Sequence, residues 1–335
     1  MIIHIDYVWV DGLDSPYIRS KTRIANVTVN EEGKFDVPLP EWNFDGSSTH
    51  QATTEDSERI LAPKRVYQIS DTHYAVLCEV CLPDAERTPH PTNHRASLAQ
   101  KISEVGDTGL WLGFEQEYFI TKDGKNIMWP EDGLPVNDSR YYCHSGGAIR
   151  KRKIVREHAN LCNSVGISVV GYNTEVSPGQ WEYQVFCNDA LKGADDLWMS
   201  RYLLQLMLET HELGVDWSPK PHSGWNGSGC HVNFSTEKMR EEGGKELFES
   251  IMSKAESSHH SDLEGYGEGN QARMTGLHET SDYNVFSYGV GSRSASVRIP
   301  TGTAQSGWKG YAEDRRPASN CDPYRVVASV YAFSS

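Results

Sequence analysis

Four short segments of the chain carry acidic, histidine and arginine side chains of the types that phosphoryl transfer needs. Residues 114–118, 175–182, 226–231 and 313–317 together supply five glutamates and one histidine beside a set of arginines. Oxygen and nitrogen ligands of this kind can bind two divalent metal ions, and arginines offset the charge of a moving phosphoryl group. The combination predicts a phosphoryl-transfer site with two metals.

Two of these glutamates lie on one predicted strand. Glu115 and Glu117 are two positions apart in residues 110–120, a segment that alternates like a strand, so both side chains leave the same face. Neighbouring carboxylates repel each other unless a cation or solvent separates them. A solvent-facing edge strand would also explain the pair. The surrounding aromatic and aliphatic residues favour a metal site instead.

The second and third segments add ligands of the same chemistry. Glu175 and Glu182 flank a Ser-Pro-Gly turn signal at 177–179, and a reversal there would bring the two carboxylates together. Taken alone, this pattern fits a surface hairpin equally well. Further along, His231 begins a run in which alternate residues are polar, and Gly227 and Gly229 allow close approach of the backbone to a ligand. That context favours a ligand role for the histidine.

Arginines dominate the fourth region. Four of them occur within 24 positions, at Arg293, Arg298, Arg315 and Arg316. Glu313 and Arg315 share a face if their segment is extended. A glutamate that binds a metal beside an arginine that binds phosphate or carboxylate suits phosphoryl transfer. Taken alone, this segment fits a structural cluster of ion pairs equally well.

Strands and helices must position these residues. The first eighty residues are strand-rich, with strands predicted at 6–12 and 22–29, and the proline-containing stretch 83–91 is a plausible domain boundary. Beyond it, helices are predicted at 153–165, ending at Gly166, and at 195–213, with acids at its start and Gly214 at its end. Thr236 caps a further helix that Gly243 and Gly244 interrupt. Residues 42–49 predict only a loop, with Asp45 as its one acid.

Composition excludes several classes of partner. The 335 residues carry a formal net charge of -14, which argues against nucleic acid and anionic membranes, since these select basic surfaces. No apolar run approaches the ~18 residues of a membrane span, and the N-terminus lacks the pattern of a signal peptide. Seven scattered cysteines fit reduced thiols in a cytosol-like compartment. Cys78 and Cys81 read as structural thiols rather than as a zinc or redox site.

The motifs taken together resemble those of type II glutamine synthetases over nearly the whole chain, from residues 7–12 to 320–324. The matching segments are 42–51, 113–118, 178–184, 225–236, 273–280 and 298–300 followed by 311–324. Departures are small. Phe44 stands where many members have tyrosine, and 301–309 is a variable stretch between two motifs. Neither removes a ligand that the resemblance implies.

The resemblance implies roles for individual residues. One metal, Mg²⁺ or Mn²⁺, would be held by Glu117, Glu175 and Glu182, and a second by Glu115, His231 and Glu313. Glutamate would be bound by Asn226, Gly227, Arg273, Arg293 and Arg315. The ATP site would include Glu115, Glu182, Asn233, Phe234, Ser235, Arg293, Arg298, Tyr311 and Glu313. Catalytic roles would fall to Arg298, to Asp45, which helps to deprotonate ammonium, and to Glu279, which closes the site and acts as a base.

The activity that the resemblance implies is ATP-dependent ligation of ammonia to the γ-carboxylate of L-glutamate through a γ-glutamyl phosphate. The implied fold is α+β, with a small β-grasp-like domain at 1–85 and a catalytic domain at 86–335 whose curved antiparallel sheet is flanked by helices. A cytoplasmic homo-oligomer of stacked rings, expected to be a decamer, is implied too, with Asp45 facing a neighbouring site. Two alternatives stay open: a ligase that uses another amine, and a structural protein that has lost turnover.

Overall fold

The computed structural model describes residues 1–26, 38–129, 133–134, 137–146 and 151–335. Within these ranges the chain forms two β-sheets, and helices pack against the larger one. The fold class is therefore α+β, as the sequence predicts. No helix in the described part of the chain combines the length and apolar character needed to cross a bilayer.

The N-terminal sheet has five strands in the order β2-β1-β5-β4-β3. They are β1 (Ile2–Val10), β2 (Ile18–Asn26), β3 (Trp42–Asp45), β4 (Glu58–Ser70) and β5 (His73–Cys81). The central strands β1 and β5 run parallel, and the other pairs are antiparallel. The strand predicted at 6–12 begins earlier, at Ile2. The strand predicted at 22–29 corresponds to β2 as far as Asn26, and residues 27–29 lie outside the described residues.

The larger sheet has nine strands, and its long central strand β6 contributes Glu115 and Glu117. The strands are β6 (Trp111–Lys122), β7 (Lys125–Asn126), β8 (Val169–Thr174), β9 (Gln180–Cys187), β10 (Gly214–Asp216), β11 (Cys230–Ser235), β12 (Tyr288–Val290), β13 (Val297–Ile299) and β14 (Ala312–Asp314). The main path is β12-β13-β14-β11-β6-β9-β8, with β7 and β10 also paired to β6. All pairs are antiparallel except β12 with β13, so the sheet is mixed rather than wholly antiparallel.

Eight α-helices complete the described structure: α1 (His94–Val105), α2 (Arg152–Ser164), α3 (Ala190–Glu209), α4 (Glu237–Glu241), α5 (Lys245–Ser257), α6 (His259–Leu263), α7 (Thr301–Gln305) and α8 (Pro323–Ser334). The predicted helix at 153–165 is α2, and Gly166 follows it with a φ of 88°. Thr236 caps α4, and Gly243 and Gly244 separate α4 from α5, as predicted.

Helix α3 exists where a helix was predicted, but both of its ends were wrong. Gly214, which was predicted at its end, is the first residue of β10, and the helix ends at Glu209. It begins at Ala190, where the Asp189 side chain caps it by accepting from the Lys192 N–H. Asp195 is therefore not an acid of the first turn. It lies fully buried and pairs with Arg65 of β4 at 3.0 Å and with Arg95 of α1 at 2.8 Å. The position of this aspartate is therefore explained by its ion pairs with residues of other elements and not by the dipole of the helix.

One hydrophobic cluster connects both sheets to the helices. On β6 the core-facing positions include Leu112, Phe114 and Tyr118, and these pack with α2, α3 and α8. Val8 and Leu77 of the N-terminal sheet belong to the same cluster. Because successive residues of a strand point to opposite faces, the odd-numbered residues of β6 are left for the other side of the sheet. The functional cleft lies there.

Candidate active site

A polar cleft of about 150 Å³ lies on the face of the larger sheet that points away from the shared core. It contains most of the residues predicted to form the site: Glu115, Glu117, Glu175, Glu182, Asn226, Gly227, His231, Arg273, Glu279, Arg293, Arg298, Glu313 and Arg315. Six further residues line it, namely Tyr142, Asn173, Gln180, Gln184, His278 and Thr280. Residues separated by up to 200 positions in sequence thus meet in one place.

Strand register brings the acids together. Glu115 of β6 lies opposite His231 of β11, and Glu117 lies opposite Glu182 of β9. The turn at 177–179 does reverse the chain, since β8 and β9 pair in antiparallel fashion and the Glu175 N–H donates to the Gln180 carbonyl at 3.0 Å. The reversal predicted from Ser-Pro-Gly is confirmed, and it places Glu175 and Glu182 in the same cleft.

One ligand set consists of Glu115, His231 and Glu313. One ligand atom from each residue can be chosen so that all three lie within 4.8 Å of one another. The Nδ1 atom of His231 is 3.5 Å from a carboxylate oxygen of each glutamate. Burial lowers the pKa of His231 well below its usual value, so the imidazole is neutral and has a lone pair for a cation. Two carboxylates and a neutral histidine suit a divalent metal.

The second set consists of Glu117, Glu175 and Glu182. Burial raises the pKa of Glu117 well above its usual value, and the charges of the other two glutamates raise it further. Burial is also the main cause that raises the pKa of Glu175 to about 7 and that of Glu182 to about 8. The charges of Glu175 and Glu182 act on Glu117 inside one cleft, so the three buried carboxylates do not all ionise without a counter-charge. A divalent cation would supply one, so this donor set also fits a metal.

Amide side chains hold these carboxylates in place. The amide nitrogen of Gln180 donates to Glu117 at 2.8 Å, and that of Gln184 donates to Glu182 at 2.7 Å. Asn173 donates to Glu175 at 2.9 Å in the same manner, and a fourth amide, from the predicted residue Asn233, donates to Glu115 at 2.8 Å. Asn173, Gln180 and Gln184 were not predicted from the sequence. The signal for the two glutamines was positional, because residues 180, 182 and 184 alternate on one face of a strand.

The arginines divide between the cleft and the core. Arg298 pairs with Glu313, and Arg315 pairs with the same carboxylate at 2.6 Å. Arg315 also donates to the carbonyl of Glu279 at 3.3 Å. Arg316 is different: it is fully buried behind the sheet and pairs with Asp314 at 2.8 Å. For Arg316 the alternative of a structural ion pair is therefore correct.

Arg273 lies in the wall of the cleft and is almost completely buried. Its Nη2 donates to three backbone carbonyls, including that of Arg316 at 2.6 Å, and its Nε donates to Asn270 at 2.8 Å. Burial lowers the pKa of the Arg273 guanidinium to about 10, which still leaves it charged at neutral pH. A buried cation beside Glu117 contributes positive potential where an anionic substrate would bind.

The loop that carries Glu279 has an unusual backbone. His278 and Glu279 have φ values of 52° and 63°, a region that residues other than glycine rarely occupy. Asn226 bridges to this loop, because its amide donates to the His278 carbonyl at 3.4 Å and to the Glu279 carboxylate at 3.3 Å. Consecutive strained residues persist where the surrounding structure holds them, and they concentrate at functional sites.

Five predicted residues lie outside the cleft that the described residues form. Asp45 is exposed at the end of β3, where it accepts hydrogen bonds from Ser47 and Ser48 that lower its pKa. Asn233, Ser235 and the half-exposed Tyr311 border the cleft without lining it. The remaining residue is Phe234, which is fully buried on the opposite face of β11 and packs against Phe333. Its side chain is therefore part of the core, as the alternation of the strand requires.

Comparison with known proteins agrees with this geometry. Residues 92–263 match the family model described as the catalytic domain of glutamine synthetase. The chain is 42% identical to a glutamine synthetase of Bradyrhizobium diazoefficiens, over 97% of this chain and 94% of that protein. It is also 42% identical to the glutamine synthetase cytosolic isozyme 1-1 of Oryza sativa subsp. japonica, over 97% of this chain and 92% of that protein.

A solved structure described as a GmaS/ADP complex has the same fold. It superimposes with a TM-score of 0.77 over 99% of this chain and 78% of that one, at 19% sequence identity. The family model covers half of the chain, and the relatives align over almost all of it. The carboxylates, the histidine and the arginines that the motifs predicted meet in one cleft. The chain belongs to the glutamine synthetase family.

Proposed function

We propose that the protein is a glutamate–ammonia ligase. It joins ammonia to the γ-carboxylate of L-glutamate at the expense of ATP, through a γ-glutamyl phosphate, and releases L-glutamine, ADP and phosphate. The observation that carries this proposal is the cleft itself, where one compact set of metal ligands, three further buried glutamates and four arginines converge in a chain of this family. A carboxylate is a poor electrophile, and phosphorylation gives it a leaving group that ammonia can displace.

The two ligand sets would hold Mg²⁺ or Mn²⁺, two or more per subunit. These cations would offset the negative charge that accumulates when phosphate and carboxylate approach each other. We expect the site of Glu117, Glu175 and Glu182 to bind more tightly, because it offers three carboxylates. In the other set Glu313 already pairs with Arg298 and Arg315, so a cation there competes with two guanidinium groups.

The two substrates are assigned to different residues of the cleft. Asn226, Gly227, Arg273 and Arg315 would bind glutamate, with the arginines on its carboxylates. Arg293 and Arg298 would bind the phosphates of ATP, and Arg293 also lies near the glutamate. The nucleotide would extend towards Asn233, the backbone of Phe234, Ser235 and Tyr311. This division is supported by the cleft, which contains Asn226, Gly227 and all four of these arginines.

Ammonium must lose a proton before it can attack. Glu279 lies on the strained loop at the cleft and would act as the base. Asp45 would help from a neighbouring subunit, a role that its exposed position outside the lining of its own cleft would allow. We therefore propose a homo-oligomer of stacked rings, expected to be a decamer, in which each site is shared.

The remaining assignments concern organisation and location. We propose a β-grasp-like domain at 1–85 and a catalytic domain at 86–335 with a curved sheet. The first is supported by the strand order β2-β1-β5-β4-β3 with its parallel central pair. We also propose that the protein is cytoplasmic, which its seven free cysteines favour.

The test is a coupled assay of ADP release with glutamate, ammonium and Mg²⁺, with the product identified by mass. We expect glutamine, and no turnover when any substrate is left out. Replacing ammonium by ethanolamine or a polyamine should abolish product formation. Faster turnover with such an amine would show that this amine, and not ammonia, is the acceptor. ADP release without any amide product would refute the ligase activity itself.

A further inference from the structure

Gln180 occupies a position between two parts of the cleft. It is the first residue of β9, directly after the turn at 177–179, and only 1% of its surface is exposed. On one side lies Glu117, a ligand in the three-carboxylate set. On the other side lies the segment 226–229, which includes the proposed glutamate contacts Asn226 and Gly227. A buried amide at such a junction must satisfy its donors locally.

Its hydrogen bonds reach both sides at once. The Nε2 atom donates to Oε2 of Glu117 at 2.8 Å, to the Gly227 carbonyl at 2.9 Å and to the Ser228 hydroxyl at 3.1 Å. The Oε1 atom accepts from the Ser177 N–H at 3.3 Å. Two amide hydrogens are thus shared among three acceptors, so a shift of the segment 226–229 changes how strongly Gln180 binds Glu117.

The segment also touches Glu117 directly. The Gly229 N–H donates to Oε2 of Glu117 at 2.7 Å. Because Oε2 accepts from both Gly229 and Gln180, the carboxylate is oriented with Oε1 left for a cation. The Ser177 hydroxyl donates to the Asn226 carbonyl at 2.9 Å, which attaches the same turn to the beginning of the segment. The turn, the segment and the metal ligand form one hydrogen-bonded unit.

We propose that Gln180 is a positioning residue that couples glutamate binding at the segment 226–229 to metal binding at Glu117. This inference rests on the proposed function, since it takes the metal and the glutamate from it. When glutamate orders the segment, the amide fixes Oε2 of Glu117 and presents Oε1 to the cation. By reciprocity, a bound metal strengthens glutamate binding by the same factor.

Gln184 provides a matched control four residues along the same strand. It donates to Glu182 of the same ligand set at 2.7 Å, but its described hydrogen bonds do not include the segment 226–229. Loss of either amide should therefore weaken the metal site, as removal of partners that orient ligands does. Loss of Gln180 alone should uncouple the metal from glutamate.

The experiment is a Mn²⁺ titration of the metal-free full-length protein by calorimetry, with and without saturating L-glutamate. The variants are Gln180→Met, Gln180→Glu and, as control, Gln184→Met, each checked by thermal unfolding. In the wild type we expect glutamate to tighten Mn²⁺ binding at least about fivefold. In Gln180→Met we expect Mn²⁺ affinity to fall about 10–100-fold. In both Gln180 variants we expect the glutamate effect to fall below about twofold. Gln184→Met should lose affinity and keep the glutamate effect.

The outcomes separate the two proposals. A wild-type protein that binds no Mn²⁺ would refute the metal sites of the proposed function. A wild type that binds Mn²⁺ with no response to glutamate, or a folded Gln180 variant that keeps the full response, would refute the coupling. If Gln180→Met does not fold, Gln180→Glu decides, because it preserves the shape of the side chain and removes the shared donor. Equal loss of the response in Gln184→Met would also refute a specific role for Gln180.

Discussion

A methyl group added at Gly229 should disable the proposed metal site that contains His231. The backbone of Gly229 does not have the positive φ that would exclude alanine, so the effect is one of space alone. A Cβ there would lie 2.6 Å from Nε2 of His231, 2.9 Å from its Cδ2 and 3.3 Å from a guanidinium nitrogen of Arg273. Ordinary contacts of a Cβ begin at 3.4 Å. The substitution Gly229→Ala therefore forces the imidazole to move.

The size of the effect follows from these distances. The ring must retreat by about 0.8 Å to restore normal contact, since repulsion rises steeply below the optimum separation. Glu115 and Glu313 flank the imidazole, each 3.5 Å away, so it moves out of the position in which the three ligands can share one cation. A displacement near 1 Å at a reacting centre costs about 10²-fold in rate. We expect a loss of that order in kcat and weaker Mn²⁺ binding at the set of Glu115, His231 and Glu313.

The assay is steady-state turnover together with Mn²⁺ titration of the metal-free protein. Gly224→Ala is the control, because its Cβ would meet the nearest atoms of His222 at 3.5 and 3.6 Å, which is ordinary contact. We expect Gly224→Ala to behave like the wild type. If Gly229→Ala keeps wild-type kcat and both Mn²⁺ affinities, His231 is not a ligand or the ring can move without consequence. Either result would refute the reasoning.

Three further outcomes are expected. Arg315→Lys should lower kcat/KM for glutamate about 10²-fold. The guanidinium donates to three partners, and one ammonium cannot replace these hydrogen bonds, which together contribute about 3 kcal/mol. Near wild-type kinetics would show that Arg315 does not bind the substrate. Folding raises the pKa of Glu175 from 4.5 to about 7 and that of Glu182 from 4.5 to about 8, so the folded protein favours their protonated forms. In the metal-free protein their contribution to the free energy of unfolding is therefore complete below about pH 4.5 and is lost as the pH rises through 7 and 8. Mn²⁺ should therefore raise the Tm more at pH 8 than at pH 6 in scanning fluorimetry, and an equal gain at both would contradict this. Mixing Asp45→Ala subunits with Glu117→Ala subunits should restore part of the activity that each parent lacks, and a mixture with proven subunit exchange but no activity would refute a shared site.

The charged residues of the site could be predicted because charge is costly on an apolar strand. Glu115 and Glu117 interrupt a segment of aromatic and aliphatic residues, and only a cation or solvent makes such a pair tolerable. The approach of Glu175 to Glu182 could be predicted for a different reason, because the turn signal between them acts locally in the sequence. Which strands would pair, and in what register, depended on long-range packing. The contact between Glu117 and Glu182 therefore needed the fold.

The amides could not be predicted in the same way. Gln180 and Gln184 are uncharged, so a polar residue at either position is equally compatible with a solvated strand face. Their roles depend on acceptors that come from other strands, such as the carboxylate of Glu117. Asp195 was misplaced for a related reason: an acid early in a helix suits the helix dipole, and only the tertiary structure reveals that Arg65 and Arg95 bind it in the core.

The buried pairing of Asp195 has a consequence for how variation in this protein should be interpreted. Arg65 belongs to the N-terminal sheet, whereas Asp195 belongs to a helix that packs on the larger sheet, and removing the fully buried Asp195 would leave both Arg65 and Arg95 without the acid that they share. Arg65 and Asp195 do not line the cleft, but substitution of either should therefore destabilise the fold. A chimaera that takes its N-terminal sheet from a relative would need the matching face of α3 from the same donor.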